Sequence, residues 1–456
     1  MKIIFAQVSY KDIYAEIGEP VYEPPLGILY IATFLRSKGF DSEVYDLTFD
    51  DQYKNFLKAV KTADFIGFTS TSPLFPQVLQ LCKKIKKTNK EKKIILGGPH
   101  VSASPESVLK NDSIDYIITG EGEYATMNLL QGNLDFPGIG YKKNKKIIIN
   151  PPELIKEINL LPFPDRSLLD INKYRVILPE GSGGRYTTII SSRGCPFRCS
   201  FCDSHITFGR KTRFRSPKNV VDEIAECVNK HNIKSFAFLD DTITLDKKRF
   251  IEIADRIINE RLKIHYRCST RVDCINEEVL SKMKESGCYR VHIGCESGDD
   301  TILKSTSKGI TTRQIKKGVD LCKKIGLSTY AFFILGLPGE TDETINKTIK
   351  FSNKLHPDFV QYTIATPFPG TDLHKYVIEN NLMLKDLDYN SFKWYGNPVF
   401  KENIEPDDLI NYQKYAYYKF YTNPYFLLKQ IYSIRSYADI KTLFKGFWML
   451  KNFVNR

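Results

Sequence analysis

Apolar residues recur along the chain in two alternating patterns. Short runs such as KIIFAQV (2–8), SEVYDL (42–47), FIGFTS (65–70), KIILGG (93–98) and YIITG (116–120) are dominated by apolar residues. That suits strands buried on both faces of a parallel sheet. Between them, LGILYIATFLRSKG (26–39) and FPQVLQLCKKIKK (75–87) space their apolar residues three and four apart, the period of an amphipathic helix. The alternation through residues 1–140 predicts an α/β domain with a doubly wound, Rossmann-like sheet. Ligands of such sheets sit outside the carboxyl ends of the strands. Those ends read TSTSPLF (69–75), GGPHVSASP (97–105) and TGEGE (119–123), small and polar enough to admit and hydrogen-bond a bulky ligand. No GxGxxG follows the first strand, so a nicotinamide dinucleotide is disfavoured.

The rhythm breaks over residues 141–184, read as a linker around NPPELIKEINLLPFPDRSLLD (150–170) and GSGG (181–184). It resumes over 185–385 with YTTIISS, SFAFLDD, IHYRCSTRVD, YRVHIGCES, TYAFFILGLPGE and FVQYTIATPFPG, separated by helical segments. Six such repeats predict a partial (β/α)6 barrel, with its site at the carboxyl ends of the strands. Residues 386–456, with YQKYAYYKFYTNPYFLLKQIY (412–432) among them, predict a mostly helical C-terminal region. Two readings of it stand side by side: helices packed on the barrel mouth, or an aromatic, basic surface facing an apolar substrate or a membrane.

Bulk properties narrow the function. The 456 residues allow two or three domains, and no uninterrupted apolar run approaches the length of a membrane span. The first residues lack the pattern of a signal peptide, so a cytoplasmic location is expected. The net charge of +13 resides largely on helix surfaces such as CKKIKKTNKEKK (82–93). No helix-turn-helix or aromatic RNA-binding signature accompanies it, and nucleic acid is not an expected partner. Of ten cysteines, Cys82, Cys227, Cys268, Cys274, Cys288, Cys295 and Cys322 are scattered without a CxxC pair and read as packing residues.

The other three lie together in SRGCPFRCSFCDS (192–204). A structural zinc site takes four ligands, usually as two separated pairs, and disulfides need an even number in an oxidising compartment. Three thiolates can instead hold three irons of a 4Fe–4S cluster, leaving the fourth iron open to an amino and carboxylate chelate. The alternative is an electron-transfer cluster completed by a distant fourth cysteine, for which no candidate stands out.

CxxxCxxC after a first barrel strand, with Phe201 just before the last cysteine, resembles the signature of the radical S-adenosylmethionine (SAM) superfamily. The first domain resembles the cobalamin-binding domain of the branch that holds the anaerobic magnesium-protoporphyrin monomethyl ester cyclases and the class B methyltransferases. The resemblance implies that Cys195, Cys199 and Cys202 ligate the cluster and that SAM occupies the fourth iron. It sets Phe201 near the adenine, Asp240 and Asp241 at the SAM amino group, Arg271 at its carboxylate and Glu296 at the ribose hydroxyls. ILGLPGET (334–341) would pack against the adenine. Around cobalamin it sets Ser70, Ser72, Leu74, Gly97, Gly98 and His100. The DxHxxG motif is absent, because SYKDIYAEIGEP (9–20) contains no histidine. That implies cobalamin without a histidine ligand, or a first domain that no longer binds it.

The activity so implied begins with one electron from a flavodoxin- or ferredoxin-type donor. SAM is cleaved to a 5′-deoxyadenosyl radical, which abstracts hydrogen from an unactivated carbon. Methylcobalamin then methylates a small molecule, hydrophobic or anionic. The alternatives are an oxidative cyclase or C–C coupling enzyme of a lipid or tetrapyrrole, and a radical SAM enzyme without cobalamin. Asp240, Arg271 and Glu296 argue against a non-catalytic sensor.

Overall fold

The computed structural model describes residues 1–11, 22–177, 183–384, 389–392 and 398–433, with 443, 446, 448, 450, 451 and 453 near the end of the chain. The first sheet contains β1 (Lys2–Gln7), β2 (Asp41–Asp46), β3 (Phe65–Thr69), β4 (Lys93–Gly97), β5 (Tyr116–Ile118), β6 (Ile139–Lys143) and β7 (Lys146–Ile149). Its order is β2-β1-β3-β4-β5-β6-β7, and β1 to β5 are parallel. The apolar runs follow from burial on both faces. Ile4 and Ala6 enter one core, while Ile3 and Phe5 enter the core on the opposite side.

The sheet also continues beyond residue 140. Residues 141–149, expected as the start of the linker, complete an antiparallel hairpin on β5. Asn144 and Lys145, at φ 51° and 64°, form its two-residue turn, the conformation that matches strand twist in tight hairpins.

The second sheet contains β8 (Arg175–Ile177) and β9 (Gly183–Ile189), then β12 (Ser235–Phe238), β13 (His265–Thr270), β14 (Cys288–Glu296), β15 (Ser328–Leu335) and β16 (Phe359–Ile364). A small ladder of β10 (Ser192–Arg193) and β11 (Arg213–Phe214) stands apart. The order is β16-β15-β14-β13-β12-β9-β8. β9 and β12 to β16 run parallel, as a partial (β/α)6 barrel requires, and β8 joins them antiparallel. Helices cover the outer face, where Phe236, Cys268, Val291, Phe333 and Tyr362 are fully buried. The scattered cysteines Cys227, Cys268, Cys288, Cys295 and Cys322 lie in that same core.

An open barrel leaves strand edges with unpaired backbone groups. The helix Pro406–Tyr421 covers β16. Gln413 Nε2 donates to the Tyr362 carbonyl at 2.8 Å, the Tyr362 N–H donates to Tyr417 Oη at 3.0 Å, and Tyr421 Oη donates to the Val360 carbonyl at 3.1 Å. These residues of the aromatic tail therefore finish the sheet. Most of 434–456, the basic end of the tail, lies outside the described residues. Among the described residues no helix is long and apolar enough to cross a membrane.

Candidate cofactor site at the mouth of the open barrel

The cysteine loop leaves β10 through Gly194, at φ 92°. A Cβ there would lie 2.7 Å from the Lys211 carbonyl oxygen and 2.9 Å from that of Phe208, so only glycine fits. The Cys195 N–H donates to Gly209 O at 3.3 Å, Cys202 N–H to Cys199 O at 3.1 Å, and Ser200 N–H to Thr306 O at 3.0 Å. All three cysteines are unpaired and half-buried. Burial pushes the Cys202 thiol up to about 11 and raises that of Cys195. Metal ligation takes the thiolate and so has to displace those protons. Among the described residues no group of three or more His, Cys, Asp or Glu side chains closes on a single-ion site.

Around this loop the expected SAM residues divide. Asp240 is buried and accepts from the Ser191 N–H at 3.0 Å, from Ser191 Oγ at 2.7 Å and from Ser192 Oγ. Its carboxylate is engaged in joining β12 to the end of β9. Asp241 instead reaches the open mouth. Desolvation raises its carboxyl to about 6 and the charges of Asp240 and Asp203 push in the same direction, while a hydrogen bond with the Ser204 side chain opposes them.

Arg271 lies over Phe197, 3.7 Å from the ring centroid, and is paired to Asp273 at 3.0 and 2.9 Å. Its Nη1 points to Cys199 Sγ at 3.9 Å. Glu296, at φ 64°, is buried and takes a hydrogen bond from Lys308 Nζ at 2.7 Å. Burial opposes the charge of Lys308, but Glu296 outweighs it and holds the ammonium above its ordinary pKa. The other Glu296 oxygen has no partner among the described residues. Phe201 packs beside Leu337 of the ILGLPGET segment, with Ile302 and Leu373.

The first-domain candidates converge at the carboxyl ends of β3 and β4. Ser70 N–H donates to Gly97 O at 3.0 Å, and His100 N–H to Ser70 O at 3.1 Å. Ser72 Oγ lies 3.0 Å from His100 Nδ1, and Leu74 is buried in the core beneath. A Cβ on Gly97 would meet only ordinary contacts. Gly98, at φ 99°, would place one 2.7 Å from Thr69 Oγ1 and 2.8 Å from the Ser70 nitrogen. The His100 ring sits between Phe75 and Tyr389, at centroid distances of 4.3 and 4.5 Å. Tyr389 brings the C-terminal region onto this end of the first sheet. Burial lowers His100 to about 4, so it is neutral at physiological pH.

Both sets fit the groups the motifs imply. An all-thiolate loop with a guanidinium beside one sulfur suits an iron–sulfur cluster. Buried Thr71 Oγ1 and His100 Nε2 have no hydrogen-bond partner, leaving polar atoms for a ligand between β3 and β4.

Comparison with known proteins decides the family. Residues 189–352 match the Radical SAM superfamily and residues 15–130 match the B12 binding domain. An uncharacterized methyltransferase of Pyrococcus horikoshii is 37% identical over 439 residues, 93% of each chain. The chain belongs to the B12-binding radical SAM enzymes. The anaerobic magnesium-protoporphyrin IX monomethyl ester cyclase of Rubrivivax gelatinosus is 30% identical, over 94% of this chain and 78% of the other. Among solved structures, the cobalamin-dependent SAM radical enzyme OxsB superposes with TM-score 0.75 over 99% of this chain and 71% of its own, at 18% identity. The radical SAM methyltransferase TsrM of Kitasatospora setae gives 0.69, covering 83% and 78%, also at 18%. These two structures speak for the fold. The enzyme's cofactors are accordingly a 4Fe–4S cluster, SAM and cobalamin.

Several residues of this radical SAM enzyme were not legible as site residues. TGEGE is not an open ligand loop. Glu121 pairs with Arg193 and Arg213, and Glu123 with Arg193. Glu340, in the LPGE turn, accepts from the Gly336 and Leu337 N–H groups at 2.6 and 3.0 Å. Burial nevertheless pushes its carboxyl up to about 8. Lys308 reaches the site from a turn with no motif, and only its strand-end neighbour Glu296 signalled that position.

Proposed function

We propose that this enzyme transfers a methyl group to a carbon of a small molecule held in the open barrel. The observation that carries the reading is the buried Glu121–Arg193 ion pair. It joins the end of β5 to the residue just before Gly194 and Cys195, fixing the first domain against the cysteine loop. Chemistry that uses two cofactors on one substrate needs such fixed placement. Relatives named for magnesium-protoporphyrin IX monomethyl ester, cytidylyl-2-hydroxyethylphosphonate and bacteriochlorophyllide d support a small-molecule substrate.

When bound, the cofactors supply hydrogen abstraction from carbon and the methyl group. The chain supplies the rest. Cys195, Cys199 and Cys202 are the cluster ligands. Asp241, open at the mouth, suits the SAM amino group better than the engaged Asp240. Arg271 presents Nη1 beside Cys199, where a carboxylate chelating the open iron would meet it. The free oxygen of Glu296 suits a ribose hydroxyl. Ser70, Ser72, Gly97, Gly98 and His100 lie on the cobalamin side, with Leu74 packed in the core beneath them. The electron comes from a flavodoxin- or ferredoxin-type donor. Ten cysteines without a disulfide support a reducing, cytoplasmic setting. Exposed Tyr425, Leu428 and Ile431 support peripheral contact with an apolar surface.

The test is anaerobic reconstitution with iron, sulfide and hydroxocobalamin, followed by reduction and addition of SAM. Formation of both S-adenosylhomocysteine and 5′-deoxyadenosine, with cobalamin retained through desalting, is expected. Cys199→Ala abolishes both products. Production of 5′-deoxyadenosine without retained cobalamin would defeat methyl transfer and favour cyclisation or coupling.

A further inference from the structure

We propose that the barrel lumen holds an oxyanion-binding site, built on Arg290 with Arg267 and His292 beside it, that receives a carboxylate or phosphate group of the substrate. The proposal rests on the reading that the substrate occupies the barrel, and it names the substrate's class.

Alternation along the strands separates two faces. On β14, Val291, Ile293 and Cys295 are fully buried against the outer helices, so Arg290 and His292 belong to the inner face. On β15, Ala331, Phe333 and Leu335 point outward in the same way, leaving Tyr330 and Phe332 inside. Arg267 takes the corresponding place on β13 and is register partner to Arg290.

The two guanidinium groups differ in their partners. Arg267 is paired with Glu23 and donates to Tyr186 Oη at 3.0 Å. Arg290 has no carboxylate at ion-pairing distance and no side-chain hydrogen bond among the described residues. Its Nε is buried and unpartnered. The guanidinium lies over the Phe359 ring, 4.2 Å from the centroid, which orients its plane without neutralising it. Asp358, the acidic residue whose charge reaches it, is committed to the Thr329 N–H at 2.7 Å and to Lys429.

His292 adds a second unsatisfied group. Its Nε2 is buried without a partner, and its ring is held by Tyr330 and Phe332 at centroid distances of 5.1 and 5.5 Å. Two guanidinium groups and one carboxylate leave an uncompensated positive charge on a partly buried inner face. Such charge is costly unless something pairs with it. A bidentate oxyanion matches a free guanidinium edge, and the stacked Tyr330–Phe332 pair suits an adjacent apolar or aryl portion.

Position defines shape. Arg290 precedes Glu296 by six residues, roughly 20 Å along a strand. A substrate anchored at Arg290 and reacting near the barrel mouth is therefore elongated, with its oxyanion at the end away from the reacting carbon.

The experiment titrates reconstituted, SAM-saturated holoenzyme calorimetrically with benzoate, phenyl phosphate and neutral benzamide. At least one oxyanion should bind roughly tenfold or more tightly than benzamide, as expected for hydrogen bonds to a charged group. The tighter of the two names the source. Arg290→Met should abolish that preference while SAM titrates as in wild type. Arg290→Lys should keep part of it. Should Arg290→Met lose SAM binding, Arg290→Gln decides in its place. Equal affinity for benzamide and the oxyanions, no binding by any probe, or an unchanged preference in the Arg290 variants overturns the proposal. Binding is read without turnover, so this outcome is independent of whether methyl transfer is observed.

Discussion

Arg193 Nη1 lies 2.6 Å from Glu121 Oε1, across the boundary between the two domains and two residues before the first cluster cysteine. Glu121 also accepts from Arg213 and, at 2.7 Å, from the Ile155 N–H. One carboxylate thus gathers the end of β5, the linker, β10 and β11.

Glu121→Ala takes from buried Arg213 its carboxylate partner among the described residues and leaves Arg193 with Glu123 alone. Breaking a buried ion pair from one side costs about 3–5 kcal/mol. A urea melt should show that loss, and the variant should retain less iron and cobalamin after desalting. A wild-type midpoint would show that the pairs are not structural.

Gly98→Ala forces a side chain against Thr69 Oγ1 and the Ser70 nitrogen at positive φ. The strain is on the order of 1–3 kcal/mol. Because it falls between the loops that carry Ser70 and His100, cobalamin retention should drop while the iron content stays that of wild type. Equal loss of both cofactors would place Gly98 in general folding.

Two buried groups set opposing pH dependences. His100 is lowered to about 4, so the unfolded chain holds the extra proton and stability falls as pH drops from about 6.5 to 4. Glu340 is raised to about 8, so the folded chain holds the proton and stability falls as pH rises from about 4.5 to 8. Each contributes a slope of about 1.4 kcal/mol per pH unit within its window. Between about 4.5 and 6.5 the slopes cancel, and above 6.5 the Glu340 decline remains. Urea melts across pH should therefore show His100→Gln falling with pH from about 4.5, and Glu340→Gln rising up to about 6.5. Parallel curves for wild type and both variants would refute the assignment.

Gln413→Leu removes the donor to the Tyr362 carbonyl on the edge strand β16. Tyr417 Oη, at 3.3 Å, remains for that oxygen, so the loss should be about 1 kcal/mol. A thermal melt measures it. Chromatography should also show more self-association, because an uncovered edge pairs with other chains.

Much of the architecture was legible because burial imposes local periods. Uniformly apolar runs such as KIIFAQV need a sheet covered on both sides, and β1 divides its side chains between two cores accordingly. IGYKK (139–143) and KIII (146–149) were missed because a mixed-polarity edge hairpin carries no such signal. The CxxxCxxC loop was readable for a related reason: its ligands are neighbours in sequence, so spacing alone states their geometry.

The tertiary structure decided how those pieces address one another. Asp240 and Asp241 are adjacent in sequence, yet Ser191 and Ser192 bury one in hydrogen bonds while the other stays exposed beside Ser204. Glu121 and Arg193 are 72 residues apart, and Arg267 found Glu23 from 244 residues away. No periodicity records such pairs, because they depend on the order of strands in two sheets and on how the sheets meet. The sequence by itself determined the elements, the two α/β units and the cluster ligands, all written in short-range pattern. Which carboxylates are engaged, which are free, and which guanidinium in the lumen lacks a partner depended on the packed chain, where charge is balanced between residues that only folding brings together.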